Sequence, residues 1–484
     1  MCKKDNVRVY DTIVIGGGLL GCFCALNLSR YSVDTALLEM REDVCTGISR
    51  ANTAVIYPGY DNHPDSMKTK LTVKANQSME HLCRELGVSF SRCGSLMVST
   101  GPNGDKTIQK KYKQGIANNV PGLKLLSREE VLKLEPSLTP AITSGLYAAT
   151  TATLHPWELC IAAFEAAKEL GCSMHLNTKV TAIRREQDCF RIESSNGNVC
   201  YSRSVVNCAG IHADQVHALY QKPVIRIRAE LAEYLVFDPE INPGLHHIIF
   251  HETEEKGKGI TLVPTTNGKI LAGTTYHSAD ANTPLVTSEQ GRQELMDGCS
   301  CIFPSLAGYT RIRSFSGLRP NPCCPDYPDM NIRDFPRLIT DTGDGMISLT
   351  AVKTPGLTCC NELGNVLAQK VLEFLNIPRK NKKEIPHRQN FKQEYTRPEY
   401  QKIVCRCENI TEGDILDAIR RGATTIDGVK RRTGSGMGIC QGNHCSARIA
   451  ELLSESLHVP MEEITKDGAN SYYLYHPTGE SSHA

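Results

Sequence analysis

Three glycines near the N-terminus and one acidic residue have the types and spacing of a nucleotide-binding set. Gly16, Gly18 and Gly21 follow the pattern G-x-G-x-x-G, and Glu39 comes later in the chain. In this pattern the first glycine permits a tight turn, the second admits a pyrophosphate, and the third lets a helix pack on a strand. The acid accepts hydrogen bonds from ribose hydroxyls. These four residues predict a dinucleotide site; the alternative is an ordinary glycine-rich turn.

Four cysteines near the C-terminus form a second set of residues that could perform chemistry. Cys405 and Cys407 are separated by one residue, and Cys440 and Cys445 by four. Thiolates are the ligands of iron–sulfur clusters. Structural zinc is the main alternative, but its usual spacing is Cys-x2-Cys, and buried free cysteines are a further one. Glycines crowd the second pair, where backbone N–H groups would have to reach sulfur atoms, and these are Gly434, Gly436, Gly438 and Gly442.

Three arginines lie close together between residues 311 and 320. Arg311 and Arg313 fit exposed positions of a surface strand. Arg319 stands between Leu318 and Pro320, where a guanidinium group would be partly buried and could bind a carboxylate or a phosphate through paired hydrogen bonds. Arg319 is therefore a candidate anion-binding residue.

The elements around the glycine set have the order of a βαβ unit. A short apolar run, Thr12–Ile15, predicts a buried parallel strand, Cys22–Arg30 has a helical pattern, and Ala36–Leu38 predicts the second strand. Glu39 then stands at the end of that strand. The segments 204–214 and 351–358 each end a predicted strand with a turn of small residues, where ligands of doubly wound sheets bind.

The middle of the chain has the pattern of a β-rich domain. The runs 226–238 and 246–275 predict strands of a mostly antiparallel sheet, and helical periodicity returns at 288–303. Outside this block, the pattern predicts helices at 68–86, 108–118, 157–170 and 359–375.

Composition excludes several classes of protein. The 484 residues have a formal net charge of +1, which provides no basic excess for nucleic acid. No apolar run is long enough to span a membrane, and residues 1–10 lack the apolar core of a secretion signal. Most of the 21 cysteines stand singly inside predicted strands and helices, which favours free thiols in a reducing compartment. These observations predict a cytoplasmic protein that binds no nucleic acid.

Several stretches together carry a resemblance to a known superfamily. The segments 16–21, 46–60, 205–214 and 353–358, with Arg319, resemble the FAD-dependent oxidoreductases of the D-amino-acid-oxidase type. Within that superfamily the chain is similar to the flavin-dependent glycerol-3-phosphate dehydrogenases, on the residues 46–53, 257–259, 263–265, 316–320 and 463–468. The spacing of the four cysteines resembles the [2Fe–2S] module of the bacterioferritin-associated ferredoxin family.

The resemblance implies an α/β fold with a doubly wound, Rossmann-like FAD domain, an inserted β-rich substrate domain and a small helical [2Fe–2S] module at the C-terminus. It places the FAD-binding segments at about 8–87, 146–215 and 330–375, within an oxidoreductase domain of 8–375, and the substrate domain at about 88–145 and 216–329. The implied remainder is a linker at 376–400, the cluster module at 401–458 and a tail at 459–484.

The resemblance also implies the roles of individual residues. FAD and a [2Fe–2S] cluster are the implied cofactors, and Arg319 and Lys353 would bind the substrate anion. The cluster ligands would be Cys405, Cys407, Cys440 and Cys445. The residues implied to bind FAD are Gly16, Gly18, Gly21, Glu39, Ser49, Arg50, Asn52, Val180, Gly210, Gly356 and Leu357. Relatives often have histidine where Tyr57 stands, and this departure leaves the identity of the catalytic base open. His63 and His251 are candidates for it.

The resulting hypothesis is an enzyme that oxidises sn-glycerol 3-phosphate to dihydroxyacetone phosphate by hydride transfer to flavin N5. Electrons would leave through the [2Fe–2S] cluster to an acceptor protein or a quinone-linked partner. The alternatives are an oxidase or dehydrogenase of L-2-hydroxyglutarate or another 2-hydroxy or 2-amino acid, an oxidase that uses O2, and an electron-transfer subunit of a larger complex. A non-catalytic NAD-binding scaffold would not need the four-cysteine module.

Overall fold

The computed structural model of the protein describes residues 8–238, 244–253, 257–324, 334–380, 382–386 and 396–474. The chain divides into two compact units. The first unit comprises residues 1–40 and 44–388, and the second comprises residues 41–43 and 389–484. Parts of the predicted linker, 376–400, and of the predicted tail, 459–484, lie outside the described residues, and the predicted segment boundaries stay predictions.

The first unit contains nine described helices and twenty described strands. The helices are α1 (Leu19–Ser29), α2 (Met67–Glu85), α3 (Pro102–Ala117), α4 (Arg128–Leu134), α5 (Pro156–Glu169), α6 (Ala213–Ala218), α7 (Glu289–Ile302), α8 (Phe335–Leu338) and α9 (Cys360–Phe374). The strands are β1 (Val9–Ile15), β2 (Thr35–Leu38), β3 (Val55–Ile56), β4 (Phe90–Ser91), β5 (Ser95–Ser99), β6 (Leu123–Ser127), β7 (Ser144–Ala148), β8 (Ala152–Leu154), β9 (Ser173–His175), β10 (Val180–Glu186), β11 (Cys189–Ser194), β12 (Val199–Asn207), β13 (Arg226–Asp238), β14 (Ile248–Thr253), β15 (Gly257–Pro264), β16 (Ile270–Gly273), β17 (His277–Ala279), β18 (Thr310–Cys323), β19 (Ile339–Asp341) and β20 (Met346–Leu349).

An eight-stranded sheet forms the centre of the nucleotide-binding part. Its main order is β10-β11-β12-β1-β2-β9, and β20 joins β12 and carries β19 at its other side. The strands β12, β1, β2 and β9 are parallel, as is β20 against β12. Residues alternate between the two faces, since Val14 contributes to one core cluster while Ile13 and Ile15 contribute to another. The predicted doubly wound α/β fold is confirmed.

Helix α1 is buried along almost its whole length between α5 and α9. Ten of its eleven residues are buried, so it lacks the polar face of a surface helix. Gly364 of α9 allows the closest approach, because a Cβ added there would lie 2.6 Å from the backbone carbon of Phe23 and 2.8 Å from the nitrogen of Cys24. The absence of a side chain at Gly364 therefore sets the spacing of these two helices.

Substitution of this glycine tests the helix contact. We expect Gly364→Ala to lower the free energy of unfolding by about 1–3 kcal/mol, because the added methyl group must push two backbones apart. The measurement is the thermal midpoint by circular dichroism. Gly308→Ala is the matched control, since a Cβ at Gly308 would meet no atom within 4 Å. Equal midpoints for the two variants would contradict the prediction.

A nine-stranded sheet forms the second layer of the first unit. Its main order is β17-β13-β16-β15-β14-β5-β7-β6, and the long strand β18 pairs with β13. All its pairs are antiparallel except β14 with β5. The predicted β-rich, mostly antiparallel block is therefore confirmed, although segments around β5 to β7 also contribute. A small third sheet has the order β3-β8-β4.

The second unit is small and mainly helical. Its described residues form a two-stranded sheet and three helices, namely β21 (Ile403–Cys405), β22 (Ile410–Thr411), α10 (Glu412–Arg420), α11 (Ile426–Thr433) and α12 (Ser446–Leu457). Its own core includes Ile415, Val429, Ile449 and Leu453 together with Cys405 and Cys445. Two of the four candidate ligands are therefore part of the apolar interior of this unit.

None of the helices in the described part of the chain is long and apolar enough to cross a membrane. Every cysteine that the structure describes is a free thiol.

Candidate active site

The three glycines of the nucleotide-binding pattern lie in the turn between β1 and α1. Gly16 has a φ of +108°, which L-residues with a side chain rarely adopt, and a Cβ there would lie 2.5 Å from the carbonyl oxygen of Cys208. A Cβ at Gly21 would lie only 1.9 Å from the carbonyl oxygen of Gly16. The turn therefore closes tightly on the first turn of α1, which leaves the N-terminus of that helix open to a phosphate.

Glu39 lies directly after β2 and is 8% exposed. Its Oε2 atom accepts a hydrogen bond of 2.6 Å from the backbone N–H of Gly17. This contact fixes the carboxylate beside the glycine turn, at the edge where the ribose of a bound dinucleotide lies in Rossmann-like sites.

The loop after β2 adds polar groups to the same end of the sheet. The hydroxyl of Ser49 accepts a hydrogen bond of 3.0 Å from the N–H of Leu19, in the first turn of α1. The side chain of Asn52 donates to the carbonyl oxygens of Ile48 and Ser49 and accepts from the N–H of Ala54. Arg50 belongs to the 3-10 turn 48–50 and is half-buried. Asn52 therefore holds the loop in shape.

Gly210 follows β12, and Val180 begins β10 of the same sheet. Gly210 has a φ of +58° and begins the turn after β12, directly beyond Cys208 and Ala209, which contact Gly16. Val180 is buried at the start of β10, where it pairs with Ser194. The structure thus brings Gly210 to the glycine turn, and the proposed role of Val180 near adenine stays a prediction.

A pocket opens beside the first turn of α1. Six of the residues predicted to bind cofactor or substrate line it, namely Ser49, Asn52, Arg319, Lys353, Gly356 and Leu357. Leu19 and Leu20 of α1 line it as well. A Cβ at Gly356 would lie 2.7 Å from the carbonyl oxygen of Lys353, so a side chain there would disrupt the turn. Residues from four distant parts of the chain therefore converge on one cavity.

Two cations contribute to the pocket wall. Arg319 lies on β18 with its side chain 15% exposed, at 3.4 Å from the carboxylate of Glu230. The Nζ atom of Lys353 donates a hydrogen bond to Oδ1 of Asn321. Arg311 and Arg313, near the start of β18, are exposed as predicted. The arginine cluster of the sequence is thus divided between the surface and the pocket.

Three tyrosines also line the pocket. The ring of Tyr57 stacks on that of Phe250 with the centroids 5.9 Å apart, and its N–H donates to the hydroxyl of Thr358. Tyr234 is almost fully buried, which raises the pKa of its hydroxyl to about 12. Tyr276 is 44% exposed. Tyr234 and Tyr276 carry no signal in the sequence, because strand pairing alone brings them here and no local motif marks them.

Neither candidate histidine is among the described residues that line the pocket. His63 is exposed in the loop before α2, with its Nδ1 2.7 Å from the carbonyl oxygen of Pro64. His251 lies on β14 with its Nε2 3.5 Å from the hydroxyl of Thr100, and burial lowers its pKa. Their role as a base stays a prediction, and their surroundings give it no support.

The four cysteines of the second unit lie in two close pairs. The sulfur atoms of Cys407 and Cys440 are 3.6 Å apart. Cys405 and Cys445 share a hydrogen bond, which lowers the pKa of Cys405 to about 5 and raises the pKa of Cys445. Cys405 and Cys445 are buried, whereas Cys407 is exposed. No three His, Cys, Asp or Glu side chains in the described ranges converge on a single metal position.

Backbone groups complete the surroundings of these sulfur atoms. Backbone hydrogen bonds from residues 442–444 lower the pKa of Cys440, and one from Gly436 contributes to lowering that of Cys405. A Cβ at Gly438 would lie 2.2 Å from the Cβ of Cys407. Two thiol pairs with backbone N–H donors around them fit the four thiolate ligands of a [2Fe–2S] cluster.

Comparison with known proteins identifies the larger unit. The profile of the family described as FAD dependent oxidoreductase matches residues 11–370. The chain belongs to this family. The glycine turn, the open N-terminus of α1 and the carboxylate of Glu39 fit the nucleotide half of FAD. Residues 403–455 match the BFD-like [2Fe-2S] binding domain, in agreement with the paired cysteines. The FAD-dependent oxidoreductase therefore carries a second redox module.

Individual relatives agree with this assignment. The chain is 34% identical to the glycerol 3-phosphate dehydrogenase of Caloramator mitchellensis, over 97% of this chain and 99% of that protein. It is 27% identical to the human mitochondrial L-2-hydroxyglutarate dehydrogenase, over 56% of this chain and 62% of that protein. The L-alpha-glycerophosphate oxidase of Mycoplasma pneumoniae, solved with FAD bound, has a TM-score of 0.70 at 24% identity and covers 78% of this chain and 99% of its own. That similarity shows the shared fold.

Substitution of one cluster cysteine tests the second module. We expect Cys445→Ser to yield protein that lacks the [2Fe–2S] absorption and EPR signals, because a buried ligand is lost and the hydroxyl oxygen is a poor substitute for thiolate. Flavin content should be unchanged. Cys301→Ser, at an exposed cysteine of α7, is the matched control. A full cluster signal in Cys445→Ser would contradict the ligand assignment.

Proposed function

We propose that this FAD-dependent oxidoreductase oxidises sn-glycerol 3-phosphate to dihydroxyacetone phosphate. The observation that carries the proposal is the presence of two cations, Arg319 and Lys353, in a pocket that Gly356 and Leu357 also line. The match along nearly the whole chain to a glycerol 3-phosphate dehydrogenase supports the same substrate.

The side chains of the pocket have separable roles in this proposal. Arg319 and Lys353 neutralise the phosphate and fix the orientation of the substrate, so that its C2–H bond points towards the cofactor. FAD, when bound, supplies the acceptor for the hydride at flavin N5. The hydroxyl groups of Tyr57, Tyr234 and Tyr276 line the pocket and can form hydrogen bonds with the substrate hydroxyl, whose proton passes to solvent.

Cys405, Cys407, Cys440 and Cys445 would hold a [2Fe–2S] cluster, which would supply one-electron transfer between the flavin and an external acceptor. The exposed position of Cys407 supports an external acceptor for these electrons, either a protein or a quinone-linked partner. A cytoplasmic location is part of the proposal and is supported by the many cysteines that are buried as free thiols.

Anaerobic stopped-flow reduction of the flavin tests the substrate. We expect glycerol 3-phosphate to bleach the flavin absorption at a rate that saturates with concentration. The second candidate, a 2-hydroxy acid such as L-2-hydroxyglutarate, is favoured by the similarity to dehydrogenases of that acid. Bleaching with L-2-hydroxyglutarate and none with glycerol 3-phosphate would overturn the proposal. If peroxide forms in air at the rate of turnover, the electron acceptor is O2 and not a partner linked through the cluster.

A further inference from the structure

A carboxylate lies directly beside Arg319, the cation that binds the substrate anion in the proposed function. Glu230 of β13 and Arg319 of β18 are opposite each other in the antiparallel ladder. Their side chains lie on the same face, with Nη1 of Arg319 3.4 Å from Oε2 of Glu230, and they are 15% and 24% exposed. Directly opposed residues of opposite charge stabilise each other across antiparallel strands.

The two atoms attract each other electrostatically but do not form a hydrogen bond. Both Nη1 of Arg319 and Oε2 of Glu230 are buried, and neither has a hydrogen-bond partner among the described residues. A buried N–H group without a partner is costly, and that cost is recovered when a ligand oxygen accepts its hydrogen bond. The pair therefore leaves hydrogen-bonding capacity for a ligand that enters the pocket.

The aromatic ring of Tyr276 holds the guanidinium group from a second direction. The centre of the guanidinium lies 5.0 Å from the ring centroid, within the range of a cation–π interaction. Tyr276 directly precedes β17, which pairs with β13 at Glu230. Three adjacent strands thus fix the position of Arg319, with the carboxylate on the central one.

We propose that Glu230 is a positioning residue that also limits how strongly the site attracts anions. Its negative charge offsets part of the field of Arg319 and so weakens the binding of phosphate. The inference rests on the proposed function, in which Arg319 binds the phosphate of the substrate. Since the product carries the same phosphate group, stronger attraction would hold substrate and product alike and would not accelerate the reaction. Orientation of the guanidinium is then what Glu230 contributes to the rate.

Glu230→Gln separates these two effects, because it removes the charge and keeps the shape. On the FAD-loaded enzyme at low ionic strength, we expect inorganic phosphate to bind about tenfold more tightly, as followed by the change in flavin absorption. The limiting rate of flavin reduction by glycerol 3-phosphate should fall by roughly three- to tenfold, since the guanidinium loses its orientation. A purely structural role would weaken phosphate binding and would not tighten it.

The matched control is Asp238→Asn. Asp238 is on the same strand, also forms an ion pair, with Lys269 at 2.9 Å, and lies roughly 25 Å further along β13. The substitution Asp238→Asn removes one negative charge at a distance from the pocket, so the phosphate affinity and the rate of flavin reduction should stay within twofold of those of the unmodified enzyme. If Glu230→Gln does not retain flavin, Glu230→Asp keeps the charge and shortens the side chain. That variant should keep the phosphate affinity within threefold and lower only the reduction rate.

Failure of this inference can be distinguished from failure of the proposed function. If Arg319→Gln does not weaken phosphate binding, then Arg319 is not the anion site and the proposed function loses its support. If Arg319→Gln weakens phosphate binding but Glu230→Gln leaves it unchanged or weaker, only the inference on Glu230 is overturned.

Discussion

Gly21→Ala is expected to produce protein that is purified without FAD. The added Cβ would lie 1.9 Å from the carbonyl oxygen of Gly16, and neither group can move away, because both are backbone or directly attached to it. The turn must then open, which withdraws the N–H groups of α1 from the pyrophosphate. We expect FAD affinity to fall by at least about 100-fold, which corresponds to about 3 kcal/mol.

The measurement is the ratio of flavin absorption to protein in the purified enzyme, followed by titration with free FAD. Gly308→Ala, where the added group meets no atom within 4 Å, serves again as the matched control and should retain full flavin. The [2Fe–2S] signal of Gly21→Ala should also be retained, because its ligands belong to the other unit. Stoichiometric flavin in Gly21→Ala would show that this turn does not bind the cofactor.

Arg319→Lys is expected to lower kcat/KM for glycerol 3-phosphate by about 100-fold or more. Lysine keeps the positive charge but loses the planar fork that can form two hydrogen bonds to a phosphate, and it loses the guanidinium plane that faces Tyr276. The loss should appear in both KM and kcat, because the guanidinium binds the phosphate and also fixes the orientation of the C2–H bond. Steady-state kinetics with an artificial electron acceptor measures both constants.

Arg311→Lys is the control for the same change of side chain on the same strand. Arg311 is exposed on β18, so the kinetic constants of the Arg311→Lys variant should match those of the unmodified enzyme. An unchanged kcat/KM in Arg319→Lys would contradict the assignment of Arg319 to the substrate. A loss seen equally with substrates that lack an anionic group would indicate a structural role.

The glycine turn and the cysteine module could be predicted from the sequence for different physical reasons. Gly16, Gly21 and Glu39 all belong to one βαβ unit, so their spacing along the chain determines their spacing in space. The cysteines lie in one short module with a core of its own. Helix α9, at Cys360–Phe374, also agrees closely with the predicted 359–375, because its apolar residues recur with helical periodicity.

Helix α3 was predicted only in part. The sequence pattern placed a helix at 108–118, whereas α3 runs from Pro102 to Ala117. Proline at the first helical position starts the helix without losing a hydrogen bond, and the polar first turns provide little apolar periodicity. The sequence does not reveal this start, because the first turns bury a glycine, Gly104, and no large apolar side chain.

The wall of the substrate pocket depends on strand pairing, which the sequence does not display. Glu230 and Tyr276 reach Arg319 only because β13 lies between β17 and β18 in a particular register, and a shift by one residue would turn Glu230 to the opposite face. The two histidines illustrate the converse. Residue type made His63 and His251 candidates, but type alone does not indicate where a side chain lies in the fold.

The position of α9 has a consequence for the synthesis of the protein. Helix α1 is synthesised before the elements that cover it, which include α5 and α9, and α9 ends only at residue 374. Until α9 has been synthesised, part of the surface of α1 stays exposed, although ten of its eleven residues are buried in the folded protein. Contacts between such distant segments form slowly, so the nascent chain exposes part of this apolar helix until α9 has been synthesised. We therefore expect early folding intermediates to bind chaperones through α1.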